Sequence, residues 1–201
     1  MLICRIKPQF KILVEEKIIL GIDPGTNIMG YGLIKCRRKE MELITMGILN
    51  LKKLDGVMDK LHYIFSETSR IIRLHGPDEM AIEAPFYAKN IQSMLKLGRA
   101  QGVAIASALQ QNLPVYEYSP RKVKQSITGR GGASKEQVAA MLINLLNIKE
   151  LPDYLDATDG LALAVCHHFQ NISVVKTSSA SAGKSKSGWA SFIKENPGRV
   201  K

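Results

Sequence analysis

The chain has 201 residues, 45% of them hydrophobic and 23% charged, with a formal net charge of +10 at pH 7. Such a length suits one folded core with a loose tail, and no apolar run approaches the ~20 residues that a bilayer crossing needs. The positive charge points to a polyanionic partner, nucleic acid first and an anionic membrane second, although half of it, +5, lies on residues 171–201.

Residues 1–16 have no clean hydrophobic period and read as an appendage, without the apolar leader of a secretory signal. The stretch Ile18-Ile19-Leu20-Gly21-Ile22-Asp23-Pro24-Gly25-Thr26 is an apolar, β-branched run broken by Pro24-Gly25. It reads as a strand buried on both faces, with Asp23 emerging where the packing stops. Met29 to Lys35 is a second strand, and Arg37-Arg38-Lys39-Glu40 turns the chain into a third, Met41 to Leu49. Connections this short join only antiparallel neighbours. From Asp55 the period becomes helical: Leu61, Ile64, Phe65, Thr68, Ile71 and Ile72 share one stripe, which Gly76-Pro77 ends. Glu79 to Ala84 is a short strand closed by Pro85, so Glu83 also lies at a strand's carboxyl end. Asn90 to Gln111 is a long helix in which Gly98 and Gly102 suggest close packing on the sheet. Pro114 to Tyr118 is a fifth strand. A short basic helix follows (Arg121 to Gln125), then the turn Gly129-Arg130-Gly131-Gly132. Ser134 and Gln137 form a capping box at the start of a helix running to Leu146. After Pro152, a last helix starts near Asp156. Beyond Asn171 the Ser, Lys, Ala and Gly composition reads as a disordered tail, within which Trp189 and Phe192 are either a remnant or a docking segment.

Helices between the later strands imply parallel crossovers. The expected fold is therefore α/β: a mixed five-stranded sheet, three antiparallel strands and then parallel βα units, flanked by helices. The folded domain is expected over residues 17–171, with 172–201 as the tail. No internal repeat is visible.

Asp23 and Glu83 end strands, and Asp156 and Asp159, three apart at a helix start, share a face. Taken singly, each reads as a turn residue, a cap or an ion-pair partner. Jointly, four converging carboxylates repel one another unless divalent metal neutralises them. Oxygen-only ligands favour Mg²⁺ or Mn²⁺. Cys4, Cys36 and Cys166 are far apart and form no Cys-x-x-Cys pair, which argues against zinc and against a disulfide framework. Cys36 and Cys166 read as buried packing residues. Two metals ~3.5–4 Å apart stabilise both attacking and leaving oxygens of an in-line displacement at phosphorus. With a basic surface, the natural substrate is a nucleic-acid phosphodiester.

Four separated motifs, Gly21-Ile22-Asp23-Pro24-Gly25-Thr26, Ala81-Ile82-Glu83-Ala84-Pro85-Phe86, Leu97-Gly98-Arg99-Ala100-Gln101-Gly102 and Asp156-Ala157-Thr158-Asp159-Gly160-Leu161-Ala162, resemble those of the RuvC-type Holliday junction resolvases of bacteria. The resemblance covers about residues 17–170. It implies a ribonuclease-H-like fold, a cytoplasmic homodimer, Mg²⁺-dependent nicking of two opposed strands of a four-way junction, and cooperation with the RuvA–RuvB branch-migration motor. It carries catalytic and metal-binding roles onto Asp23, Glu83, Asp156 and Asp159, with two Mg²⁺ per subunit and Mn²⁺ as a substitute. Phe86 matches the aromatic that stacks at the crossover, and Lys124 and Lys135 match basic positions near the scissile phosphate. Tyr87, Lys89, Asn90, Arg121, Lys122 and Arg130 complete the expected DNA contacts. Residues 1–16 and the long tail depart from the family's usual extent.

The expected chemistry is hydrolysis leaving a 5′-phosphate and a 3′-hydroxyl. Three other readings stay open from sequence. An actin-like ATPase or sugar kinase also carries Asp-x-Gly-Thr after its first strand, but needs a second similar half that is not visible. A silent junction-binding scaffold would have no use for all four acids. A nuclease of the same fold could act instead on RNA–DNA hybrids.

Overall fold

Strand β1 (Glu16–Asp23) explains why the sheet needs helices on both faces: Ile19 packs into one core layer while Leu20 and Ile22 pack into the other. The structure is a computed structural model that describes residues 16–84, 90–149 and 154–180. Strands β2 (Ile28–Arg37) and β3 (Glu40–Asn50) complete an antiparallel meander with β1. Strands β4 (Glu79–Glu83) and β5 (Val115–Tyr118) add in parallel on the other side of β1. The order β3-β2-β1-β4-β5 puts β1 in the centre. This is the mixed five-stranded sheet expected from the sequence.

Helices α1 (Val57–His75) and α2 (Ile91–Leu109) supply one layer, in which Ile64, Ile71 and Ile72 meet Leu20, Ile22, Met80 and Ile82. Helices α3 (Pro120–Thr128), α4 (Lys135–Leu146) and α5 (Leu155–Ala180) include the residues of the other, which joins Val123, Val138 and Leu142 to Leu161–Cys166. Every residue from Leu161 to Cys166 is buried, and this stretch of α5 is apolar all round. Cys36 and Cys166 are buried, as expected. The chain divides into two units, residues 1–169 and 170–201, and the sheet belongs to the first.

Three expectations are corrected. Gly98 and Gly102 do not pack on the sheet: a Cβ at either would meet nothing within 4 Å. The close face of α2 is built instead from the buried Ala100, Ala104 and Ala108. Helix α5 also continues to Ala180, past Asn171. A composition poor in apolar residues removes the burial signal, yet Ser, Ala and Lys do not break a helix already nucleated. Trp189 and Phe192 lie outside the described residues, as do Cys4 and the rest of residues 1–15. Glu16, assigned to the appendage from sequence, is the first residue of β1, where it pairs with Lys35.

Glycines set the separation between α5 and the sheet. Gly21 lies against the Gly160 carbonyl and Gly30 against the Asp156 carbonyl, so a side chain at either would strike helix backbone. Reciprocally, a Cβ on Gly160 would lie 2.5 Å from Tyr31 Cα. Helix and sheet touch backbone to backbone, which only glycine permits.

Candidate active site

The parallel register pairs Ile22 of β1 with Ile82 of β4, and the next residues are Asp23 and Glu83. Both strands therefore deliver an acid at their carboxyl ends. The glycine contact brings the first turns of α5 over β1 and β2, and with them Asp156 and Asp159. From the other side come Lys124 on α3 and Lys135 at the start of α4, where Ser134 caps the helix and Gln137 completes the capping box. Asp23, Glu83, Asp159, Lys124 and Lys135 line one cavity of about 210 Å³, with Pro120, Val123, Val138 and Ala162 as its apolar wall.

Lys135 Nζ lies 2.5 Å from Asp159 Oδ2 and 3.8 Å from Asp156 Oδ1. Asp156 thus joins the site through that lysine. Burial, the negative charges of Glu83 and Asp159 and a hydrogen bond to Glu83 push the Asp23 carboxyl up to about 8, against a smaller pull from Lys135. Asp23 therefore keeps the proton that it shares with Glu83. Burial also raises Glu83 and Asp159, with Asp159 adding to the first and Lys135 opposing both shifts. For Lys135 burial acts to lower the pKa, but the hydrogen bond and charge of Asp159 outweigh it and the net shift is upward.

These shifts test whether a metal suits the site. Of the four carboxylates only Asp156 and Asp159 lie within ion-pair distance of an ammonium, that of Lys135, and the Asp23 carboxyl, normally ionised at neutral pH, is pushed up to about 8. The donor set is all oxygen, which suits a hard divalent cation, and such a cation would discharge the repulsion. As the side chains stand, no group of three His, Cys, Asp or Glu among the described residues is arranged to hold a metal ion, and Lys135 stands among the acids.

The other expected site residues are placed as follows. Phe86, Tyr87 and Lys89 lie outside the described residues. Asn90 caps α2, its side-chain oxygen accepting from the Gln92 and Ser93 amides. Arg121, Lys122 and Arg130 are exposed on α3 and the turn after it, and the Lys122 ammonium lies 5.7 Å from the Tyr118 ring centre.

Sequence reasoning overlooked two features. Gln101, only 6% exposed, donates from Nε2 to the Glu83 carbonyl oxygen at 3.0 Å and lines a small cavity with Asp23 and Glu83. It ties α2 to the end of β4. The available signal was a polar residue beside Ala100 in the buried stripe of α2. The second is a buried polar network at the opposite end of β4, where Glu79 bonds Lys17 at 2.7 Å and His167 at 2.9 Å, and His167 Nδ1 meets the Tyr118 hydroxyl at 2.6 Å. Burial holds the His167 pKa below its usual value despite Glu79. For Glu79 burial acts upward, but the hydrogen bonds from Lys17 and His167 outweigh it and lower the pKa. The partners are far apart in sequence, so no local spacing reveals them.

Residues 19–167 match the family model described as crossover junction endodeoxyribonuclease RuvC. The chain is 55% identical over 186 residues to the crossover junction endodeoxyribonuclease RuvC of Cytophaga hutchinsonii, covering 92% of this chain and 89% of the relative. It is 53% identical to the Bacteroides fragilis protein of the same name, covering 94% and 98%. Among solved structures it is similar to T. thermophilus RuvC in complex with Holliday junction substrate, with a TM-score of 0.74 and 28% identity, covering 79% of this chain and 96% of that one. The sheet and its flanking helices are thus ribonuclease-H-like, and the chain belongs to the RuvC family of crossover junction endodeoxyribonucleases.

Proposed function

We propose that the chain is a structure-selective DNA endonuclease that resolves four-way junctions in recombination and repair by symmetric nicking of two opposed strands. The observation that carries this reading is one cavity lined by Asp23 of β1, Glu83 of β4, Lys124 of α3, Lys135 of α4 and Asp159 of α5. Three acids and two cations from five elements meet there, and the relatives named above are junction endonucleases.

Members of this family are metal-dependent nucleases. Asp23, Glu83, Asp156 and Asp159 would hold the metal. Two Mg²⁺ ions, replaceable by Mn²⁺, supply Lewis-acid stabilisation of the entering and leaving oxygens at phosphorus. Asp23, whose pKa is raised, would hold the metal as a carboxylate, having released its proton. Lys124 and Lys135, which line the same cavity, balance the charge growing on the phosphate oxygens. Water adds to phosphorus, the bond to O3′ breaks, and O3′ leaves with a proton, giving a 5′-phosphate and a 3′-hydroxyl. The apolar wall of Val123, Val138 and Ala162 limits the water that screens these charges.

Two symmetric cuts need two active sites, which a C2 homodimer provides. Ile91 and Leu95, one helical turn apart on α2 and 67% and 50% exposed, support a partner surface there. Phe86 stacks at the crossover, with Tyr87, Lys89, Asn90, Arg121, Lys122 and Arg130 around the DNA. The dimer works with the RuvA–RuvB motor in the bacterial cytoplasm. Among the described residues no helix is long and apolar enough to cross a membrane.

The test compares cleavage of a four-way junction, a linear duplex and an RNA–DNA hybrid under Mg²⁺. Preferential cutting of the junction supports the reading, and preferential cutting of the hybrid replaces it with another nuclease activity of the same fold.

A further inference from the structure

Lys135 is the first residue of α4, directly after the Ser134 cap. A cation in a helix's first turn is opposed by the helix dipole, so helix stability does not explain it. Its ammonium instead turns onto α5, 2.5 Å from Asp159 and 3.8 Å from Asp156, in the cavity that Asp23 and Glu83 also line. Lys124 lines the same cavity, yet makes no salt bridge among the described residues. One lysine is thus a neighbour of the acid cluster, and the other is its bonded counter-ion.

We propose that Lys135 is an exchangeable counter-cation. In the metal-free protein it holds Asp156 and Asp159, and it competes with divalent ions for them. When the acids take up metal, it leaves Asp159 and its ammonium becomes available to the DNA phosphate in the cavity. This rests on the reading of the four acids as metal ligands.

The chemistry of lysine suits the exchange. Its charge is a compact point on a flexible stem, whereas an arginine fork would clamp the carboxylate through two parallel hydrogen bonds. The Lys135 side chain is 53% exposed, so the ammonium can swing free into solvent without being desolvated. The exchange also orders events, because the cation that balances phosphate charge is set free only as metal arrives. Competition of this kind is reciprocal: metal weakens the lysine's hold on Asp159 to the same degree that the lysine weakens metal binding.

The test is calorimetric titration of Mn²⁺ into the full chain without DNA, with the Mn²⁺-induced rise in Tm as a second readout. Wild type is compared with Lys135→Ala, Lys135→Arg and Lys124→Ala. The expected result is that Lys135→Ala binds Mn²⁺ about tenfold more tightly than wild type and gains more Tm from it. Lys135→Arg is expected to bind no more tightly than wild type, and Lys124→Ala to gain clearly less than Lys135→Ala. Unchanged or weaker Mn²⁺ binding by Lys135→Ala overturns the proposal, as does equal tightening by Lys124→Ala, which would mean a general field effect. If wild type and Lys135→Ala both take up no Mn²⁺, the reading of the acids as metal ligands fails and the exchange fails with it. Binding by wild type that Lys135→Ala does not tighten overturns the exchange alone.

Discussion

Replacing Gly160 by alanine adds a single methyl group where α5 meets the sheet. The new Cβ would lie 2.5 Å from Tyr31 Cα, 2.6 Å from Tyr31 N and 2.7 Å from the Gly30 carbonyl carbon. Optimal contact between carbon atoms is ~3.5–4.0 Å, and backbone cannot rotate away, so the helix must rise by about 1 Å. Overpacking of this sort costs ~1–3 kcal/mol, and alanine's better helix propensity returns ~1 kcal/mol. The expected net loss is about 1 kcal/mol, or roughly 2–4 °C in Tm for a chain of this size. Asp159 precedes Gly160 directly, and a shift of ~1 Å at a catalytic group can cost ~10²-fold in rate. Thermal unfolding measures the first effect, and junction cleavage under Mg²⁺ with a parallel binding assay measures the second. Gly98→Ala is the control, because its Cβ enters open space and should be neutral or stabilising by up to ~1 kcal/mol. Wild-type Tm and wild-type cleavage in Gly160→Ala would refute the backbone contact as the device that places the acids.

Asp23→Asn should keep junction binding and lose cleavage by more than the ~10–100-fold that outer-shell changes at metal sites cost; normal Mg²⁺-dependent cutting would remove Asp23 from the site. The same substitution should change the pH dependence of the metal-free protein. The folded pKa of Asp23 is raised from 3.8 to about 8, so between those values the folded state holds the extra proton and stability falls as pH rises through the window. In EDTA, Asp23→Asn should therefore gain Tm relative to wild type as the buffer moves from pH 5 to pH 8, and a difference that stays flat would contradict the shift. Gln101→Ala leaves the Glu83 carbonyl without its 3.0 Å donor, which should cost about 1–3 kcal/mol and reduce cleavage; unchanged thermal unfolding would show that the bond contributes nothing.

The two strand-end acids were legible because an apolar run closed by Pro or Gly marks both the strand and the point where its packing stops. The capping box at Ser134 and Gln137 and the helical stripe from Leu61 to Ile72 were legible for the same local reason. What sequence spacing does not encode is which surfaces approach. Gly98 and Gly102 looked like close-packing positions but face open space, while Gly21, Gly30, Gly32 and Gly160 make the helix-to-sheet contact that assembles the acids. A glycine permits close approach without specifying a partner, and only strand order and helix placement supply one. Gln101 and the Glu79–His167 pair escaped for a related reason, since a buried polar side chain announces itself only through partners 18 and 88 residues away.

Mapping the cuts made in a synthetic four-way junction under Mg²⁺, strand by strand, most directly tests whether acids gathered from three separate elements cleave DNA at a crossover. The expected result is one nick in each of two opposed strands at symmetry-related positions, with ends that a DNA ligase seals without processing. Nicks confined to one strand, placed without symmetry, or equally frequent in a linear duplex would contradict it.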